Sequence, residues 1–266
     1  MVVLRCRPGK PPESTGDVLA REEPLEIRLR GRGVAVTMRT PGQDAELAAG
    51  FLLSEGVIRR REDLVEVAAH GPVTEAGKHN LLNVFLAPNV DVDYAHLTRH
   101  VFASSSCGLC GKASIEAVHQ HFPPLECTFR LSADVLRSLP AAFLEAQKTF
   151  QLTGGLHAAA IFDEHGKLVV LREDVGRHNA VDKVIGYGLL EAGFPFERHV
   201  LMVSGRASFE IMQKALAARV PVVAAISAPS SLAVAFARDS GQALAGFLRG
   251  ETFNLYAHPE RILGAH

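Results

Sequence analysis

Val200-Leu-Met-Val203, Ser204-Gly-Arg206, a segment from Ser208 to Ala218, and then Val220-Pro-Val-Val-Ala-Ala-Ile226: this stretch decides the fold. Two apolar runs of strand length flank a segment of helical spacing. Such runs belong to strands buried on both faces, and the order strand, helix, strand predicts a parallel crossover. Downstream, the pattern predicts a helix over Ser230–Asp239 and strands over Ala243–Leu248 and Phe253–Tyr256 around a turn at Arg249-Gly-Glu251. Upstream, Asn179–Leu190 is a predicted helix with Val181, Val184, Ile185 and Leu189 apolar, and Ala158–Phe162 with Leu168–Leu171 flank Asp163-Glu-His-Gly166 as a hairpin. Ser132–Thr149 is a predicted helix with Ser132 as N-cap and Val135, Leu136, Leu139, Phe143 and Leu144 on its apolar face. The order α-β-β-α-β-α-β-α-β-β predicts an α/β sheet covered on both faces.

The texture before residue 104 differs. Leu25, Ile27 and Leu29 alternate with charges, Gly31-Arg-Gly33 follows, and Val34, Val36 and Met38 alternate again, which predicts a hairpin. Thr40-Pro-Gly-Gln-Asp44 leads into a helix carrying Leu47 and Phe51 and ending near Gly56. Strands at Leu64–Val67 and Leu81–Leu86 and a short helix over Asp91–His100 complete a small α+β unit. Residues 1–20, polar and rich in Pro and Gly, are expected to be loosely held. The expected organisation is an N-terminal domain over 1–103, a cysteine loop and linker over 104–128, and a second domain over 129–266.

The chain has 266 residues, 47% of them hydrophobic and 21% charged, which fits a filled interior rather than disorder. The net charge of −1 gives no global affinity for nucleic acid or an anionic membrane, and no apolar run reaches spanning length. Four cysteines are too few for a disulfide scaffold and point to reduced thiols in the cytoplasm.

In a sheet of this kind ligands collect where strands lead into helices. Three loops there are unusually polar. Arg172-Glu-Asp-Val-Gly-Arg-His-Asn179 offers Arg177, or is a solvated turn in which Asp174 or Asn179 caps the helix. Ser204, Gly205 and Arg206 follow a buried strand; small residues let backbone N–H groups approach an anion, and Arg206 is placed to clamp a phosphate. Phe247-Leu-Arg-Gly-Glu-Thr252 is a tight turn with charges at its tip. His157, after a glycine pair, is a proton donor, a ligand or a structural histidine.

Ser104-Ser-Ser-Cys107-Gly-Leu-Cys110-Gly111 places two thiols two residues apart just before a helix-like segment. A helix start and Lys112 nearby lower a thiol's pKa, leaving a thiolate able to attack sulfur, carry it, exchange disulfides or bind a metal. A zinc site would have to borrow Cys127 and a histidine such as His119 or His121, so no tightly held metal is expected. A thioredoxin-like pair would follow a strand in a βαβ unit, which this pair does not. Cys6 reads as an incidental thiol and Cys127 as a small half-buried residue.

Together SSSCGLCGKASIEAV, TGGLHAAAIFD, REDVGRHNAVDKVIG, VSGRASFEIMQKA, VPVVAAISAPSSLAVAFA and GFLRGETFNLYAHPERI resemble the formate dehydrogenase accessory sulfurtransferase family, FdhD, from about Leu25 to Ile262. The resemblance implies a sulfur carrier that takes persulfide sulfur from a cysteine desulfurase and passes it to the bis(molybdopterin guanine dinucleotide) molybdenum cofactor, bound as cargo before its insertion into formate dehydrogenase. It implies Cys107 as the persulfide cysteine, Cys110 as its companion, and Phe247, Leu248, Arg249, Gly250, Glu251 and Thr252 as a cofactor-binding segment. Loop chemistry adds Arg177, Ser204, Gly205 and Arg206. The resemblance further implies a cytidine-deaminase-like three-layer αβα domain at the C-terminus and, since members often pair, a homodimer. His157-Ala-Ala and Pro229-Ser-Ser-Leu stand where a deaminase needs H-x-E and P-C-x-x-C, so zinc deamination is disfavoured. The alternative function is a non-catalytic chaperone that binds and delivers the cofactor.

Overall fold

A glycine in the left-handed region, Gly9 (φ 71°), turns the first residues back on themselves. Strand β1 (Val2–Arg7) pairs antiparallel with β2 (Lys10–Gly16) in an exposed ribbon. The expectation of a loose segment over residues 1–20 is thereby corrected: Pro11 and Pro12 hid a strand that tolerates them because it lies at an edge. The computed structural model describes the chain except for residues 74–76, 78, 95–96, 98–117, 120, 192 and 266. Cys107 and Cys110 lie outside the described residues. Of the short helix expected over Asp91–His100, Tyr94 and Leu97 are helical and Asp91–Asp93 are not; the other residues lie outside the description.

Strands β3 (Glu23–Leu29) and β4 (Arg32–Arg39) form the expected hairpin, turning through Arg30 and Gly31. Helix α1 (Asp44–Ser54) follows, then β5 (Leu64–Val73) and β6 (His79–Leu86), giving a four-stranded sheet in the order β4-β3-β6-β5. Leu25, Ile27 and Leu29 face inward with Leu82 and Val84. Arg39, fully buried, ties this layer together: it donates to Asp44 at 2.9 and 3.1 Å and to the carbonyls of Glu23 and His79 at 3.3 and 3.2 Å.

Beyond the cysteine segment, β7 (Leu131–Ser132) leads into α2 (Ala133–Ala146), with Ser132 accepting from Asp134 N at 3.2 Å as the expected cap. The single helix expected to reach Thr149 is broken. α2 stops at Ala146 and α3 (Lys148–Thr153) begins after Gln147, because Glu173 accepts the N–H groups of Thr149 and Phe150 at 2.9 and 2.6 Å and so starts a new helix. Leu144, expected in the core, is exposed. Then come β8 (His157–Asp163), β9 (Leu168–Asp174), α4 (Arg177–Leu190), β10 (His199–Val203), α5 (Phe209–Ala217), β11 (Val222–Ala225), α6 (Ser231–Ser240), β12 (Ala243–Arg249) and β13 (Thr252–Ala257). A short β14 (Ile262–Leu263) pairs with β7.

These strands form a six-stranded sheet ordered β13-β12-β11-β10-β8-β9. The apolar runs lie at its centre. β10, β11 and β12 are parallel, Val200 beside Val222 and Val222 beside Ala243, while β8, β9 and β13 run antiparallel to their neighbours. The period of two along each strand divides the core. Ile161, Leu201, Val203, Val223 and Leu244 face α4, α5 and α6; Ala160, Phe162, Val200, Met202, Val222 and Ala245 face Leu136, Leu139 and Phe143 of α2. The first of these cores continues into α1 and the four-stranded sheet.

Glycine permits that continuity. A β-carbon on Gly50 of α1 would collide with the carbonyl oxygen of Asp182, and one on Gly186 of α4 with that of Glu46. The two helices therefore touch backbone to backbone. Among the described residues no helix is long and apolar enough to cross a membrane.

Candidate functional site at the strand ends

Strand direction gathers the polar loops at one end of the six-stranded sheet. The parallel strands β10, β11 and β12 deliver Ser204–Arg206, Ser227–Ser230 and the turn after Phe247 to it. β8 runs the other way, so its first residue, His157, stands at the same end, paired across the hairpin with Asp174. This is the place where an α/β sheet offers helix starts and unpaired N–H groups to a ligand.

The stretch Arg172–Lys183 is mostly occupied in joining the layers. Arg172 holds Glu46 of α1 through two bonds of 2.6 and 2.7 Å. Asp174, wholly buried, pairs with Lys183 at 2.7 Å and accepts from Thr40 N at 3.1 Å, Gly176 N at 2.8 Å and Asn179 Nδ2 at 3.0 Å. Asn179 also donates to Met38 O at 2.7 Å, and Lys183 to Thr40 O at 2.9 Å. Asp182 pairs with Lys214 of α5, and both bond Ser54. The expected alternative of Asp174 as a cap holds in part: it fixes the turn before α4, whose N-cap, Gly176, has no side chain to offer.

Two residues of the stretch remain for the site. Arg177 opens α4, and its Nε is buried with no hydrogen-bond partner. Gly205 stands between Arg177 and His157: a β-carbon there would lie 3.7 Å from Arg177 Cδ and 3.5 Å from His157 Nδ1. His178 lies alongside, its Nε2 3.5 Å from Ser208 Oγ at the start of α5. Burial lowers the pKa of His157, helped by the charge of Arg177 and opposed by Asp174. His178 is pushed down to about 4, first by burial and then by the charges of Lys214 and Arg177, with Glu210 opposing. Both imidazoles are therefore neutral near pH 7. Ser204 is engaged locally: its Oγ accepts Ala158 N at 2.9 Å and its own N–H meets Ala158 O at 3.0 Å. Arg206 points into solvent. Of the loop residues singled out in the sequence, the structure brings Arg177 and Gly205 together and leaves Arg206 at the rim. His178 was not singled out; the only signal was its place two residues after a glycine at a predicted helix start.

The turn from Phe247 to Thr252 lies two strands away and is tied to the same loops. Phe247 adopts φ 52°, rare for a bulky residue, and its N–H donates to Ser227 O at 3.1 Å. The register between β12 and β13 slips there, so the ring turns outward and is exposed. Arg249 donates Nε to Ile226 O at 3.0 Å, and its guanidinium lies 5.7 Å from the Phe247 ring centre. Leu248 is buried, while Gly250, Glu251 and Thr252 are exposed. Elsewhere, half-buried Cys127 receives Arg261, whose Nη1 lies 2.7 Å from its carbonyl oxygen and 3.2 Å from its sulfur.

With this geometry in place the chain can be set beside known proteins. Residues 20–263 match the model of the FdhD/NarQ family. The chain belongs to that family. It is 51% identical over 269 residues to the sulfur carrier protein FdhD of Streptomyces avermitilis, covering 98% of this chain and 94% of that one. It is 51% identical to the FdhD of Mycobacterium tuberculosis, covering 92% of each chain. It is 44% identical to the FdhD of Sulfurisphaera tokodaii, over 93% and 92%. A crystal structure described as a formate dehydrogenase accessory protein from Desulfotalea psychrophila superposes with a TM-score of 0.77 at 28% identity, over 99% of this chain and 98% of that one. The FdhD/NarQ match takes in both sheets, the strand-end loops and the cysteine segment, so the family resemblance read from the motifs is confirmed along the chain.

Proposed function

We propose that this protein is a sulfur carrier that accepts sulfur on Cys107 and hands it to a molybdenum cofactor destined for formate dehydrogenase. The observation that carries the reading is similarity over nearly the whole chain to proteins named sulfur carrier, at 51% identity, in a chain whose sequence holds a thiol pair at Cys107 and Cys110. The Cys107 thiolate attacks the terminal sulfur of a cysteine desulfurase persulfide. The donor's S–S bond breaks, the donor cysteine leaves as thiolate, and Cys107 carries the extra sulfur. Attack by the Cys110 thiolate on the Cys107 sulfur then forms a Cys107–Cys110 disulfide and expels hydrosulfide. Two thiols are oxidised as the sulfane sulfur is reduced, and the metal centre accepts the sulfide.

The cargo is the bis(molybdopterin guanine dinucleotide) form of the cofactor. Its anionic arms need cations and free N–H groups; Arg177, Gly205 and Arg206, with Ser204 holding the loop, and the segment from Phe247 to Thr252 are the residues we assign to it. The sheet order and its helices on both faces support a cytidine-deaminase-like domain, here holding a nucleotide without the catalytic carboxylate. The protein acts in the cytoplasm as a homodimer, with a cysteine desulfurase and formate dehydrogenase as partners.

Intact-mass spectrometry after incubation with a desulfurase and cysteine tests the carrier. The wild type gains one sulfur, Cys107→Ser gains none, and the gain is lost on adding cofactor. A wild type that binds cofactor but never gains sulfur would turn the reading to a delivery chaperone.

A further inference from the structure

We propose that the β1–β2 ribbon is an interface between two copies of this chain, which pack against each other through its outer face. The pattern of the ribbon is inverted. Strand alternation puts Val2, Leu4 and Cys6 on one face, where Gly16 and Ser14 stand opposite Val2 and Leu4. It puts Val3, Arg5 and Arg7 on the other, opposite Thr15, Glu13 and Lys10. The charged face is turned to the body: Val3 and Thr15 are half-buried, and Arg7 pairs with Glu13 at 3.7 Å. The apolar face is turned to solvent, with Val2 75% and Leu4 71% exposed. It continues past the ribbon, because Met1 exchanges backbone hydrogen bonds of 2.9 Å with Asp17, and the next residues, Val18 and Leu19, are exposed as well.

A two-stranded ribbon is marginal in water by itself, and one that offers its apolar side to water is worse placed still. Covering that side resolves the inversion. The covering surface has to be apolar, since the face carries no Lys, Arg, Asp or Glu to answer a charge. A second copy of the same face meets this requirement about a two-fold axis, apolar side to apolar side, with Arg5, Arg7, Lys10 and Glu13 pointing away. Pairing through the free edge of β2 is hindered by Pro11 and Pro12, which have no N–H to give. The size also fits: residues 1–19 come close to the about 20 residues a side of a stable interface. The inference deepens the homodimer reading of the proposed function and rests on it.

Sedimentation of the full chain over a concentration series tests it. The wild type is a dimer. Leu4→Glu sets a carboxylate from each copy on the shared face and weakens the dimer by about a hundredfold or more. Arg5→Gln, on the opposite face, and Val36→Glu, at a similarly exposed residue of the four-stranded sheet, stay within about twofold. Alkylation of Cys6, followed by peptide mass spectrometry, reads the ribbon itself: its rate falls as the wild-type dimer fills. If Leu4→Glu loses the native circular dichroism, the wild-type alkylation series decides alone. A dimer indifferent to Leu4→Glu, or a Cys6 equally reactive at every concentration, overturns the ribbon interface and spares the homodimer. Dissociation by Val36→Glu in place of Leu4→Glu does the same and moves the contact to the four-stranded sheet. A wild type that is monomeric at every concentration overturns both readings; sulfur loading slowed by Leu4→Glu in that monomer gives the face to the sulfur donor.

Discussion

Replacing Lys214 by Met would strand a buried carboxylate. Lys214 Nζ donates to both oxygens of Asp182, at 2.8 and 2.9 Å, and to Ser54 Oγ at 3.0 Å. The two side chains are only 9% and 4% exposed, so water cannot substitute for the lost ammonium. Breaking a buried pair from one side costs about 3–5 kcal/mol. The pH dependence is specific. Burial already raises the Asp182 pKa above 3.8, outweighing the opposing pull of Lys214, and losing that cation raises it further. In the variant the folded state keeps a proton that the unfolded chain has released. Stability therefore falls as pH climbs from the ordinary carboxylate range toward the raised value. Near the acid end the carboxyl is neutral and the deficit shrinks to the lost hydrogen bonds, about 1–2 kcal/mol. Urea unfolding of wild type and Lys214→Met at about pH 4.5 and about pH 7.5 reads both limits, since groups common to the two proteins cancel. Adding Asp182→Leu removes the stranded charge and should restore stability to within about 2 kcal/mol of wild type. A deficit that is the same at both pH values, or a double variant worse than the single, would refute the reasoning.

Two further outcomes follow from the same seam. Gly186→Ala drives a methyl group into the carbonyl of Glu46 and should cost about 1–3 kcal/mol, seen as a lower urea midpoint; an unchanged midpoint would mean the helices do not cross backbone to backbone. His178, with a pKa near 4 when folded, takes up its proton first in the unfolded chain. It therefore contributes stability at neutral pH that is lost as pH falls from about 6.5 to about 4, and His178→Gln should flatten that slope; an NMR titration placing His178 near its ordinary value would remove it.

The sequence reveals the six-stranded sheet well because its central strands are continuous apolar runs, and alternation between two cores needs no other information. It reveals less where distant charges decide local structure. Nothing near Gln147 announces a helix break; Glu173, a strand away, makes it. Leu144 looked like core because it continues the apolar period of α2, yet it stands in the last turn of that helix and is exposed. The ribbon at the start was hidden by prolines, which a solvent-facing edge accepts. In the site, Arg177 and the loop Ser204–Arg206 were legible from composition at strand ends. The sorting of them was not. Ser204 turns out to bond the neighbouring strand, Arg206 to face water, and the acids around Arg177 to be committed elsewhere. Several of those facts depend on distant partners, Thr40 for Asp174, 134 positions away, and Ala158 for Ser204, 46 positions away, which no spacing rule reaches.

The contact of α1 with α4 across Gly50 and Gly186 has a mechanical consequence. Where two helices meet through their main chains, no layer of side chains is left to slide or repack as a bearing. Arg172 with Glu46 and Lys183 with Thr40 bolt the joint on either side. The four-stranded sheet and the strand ends must then travel as one rigid frame. Any rearrangement of the protein has then to be borne by the connecting loops around that frame, not by a hinge running through its middle.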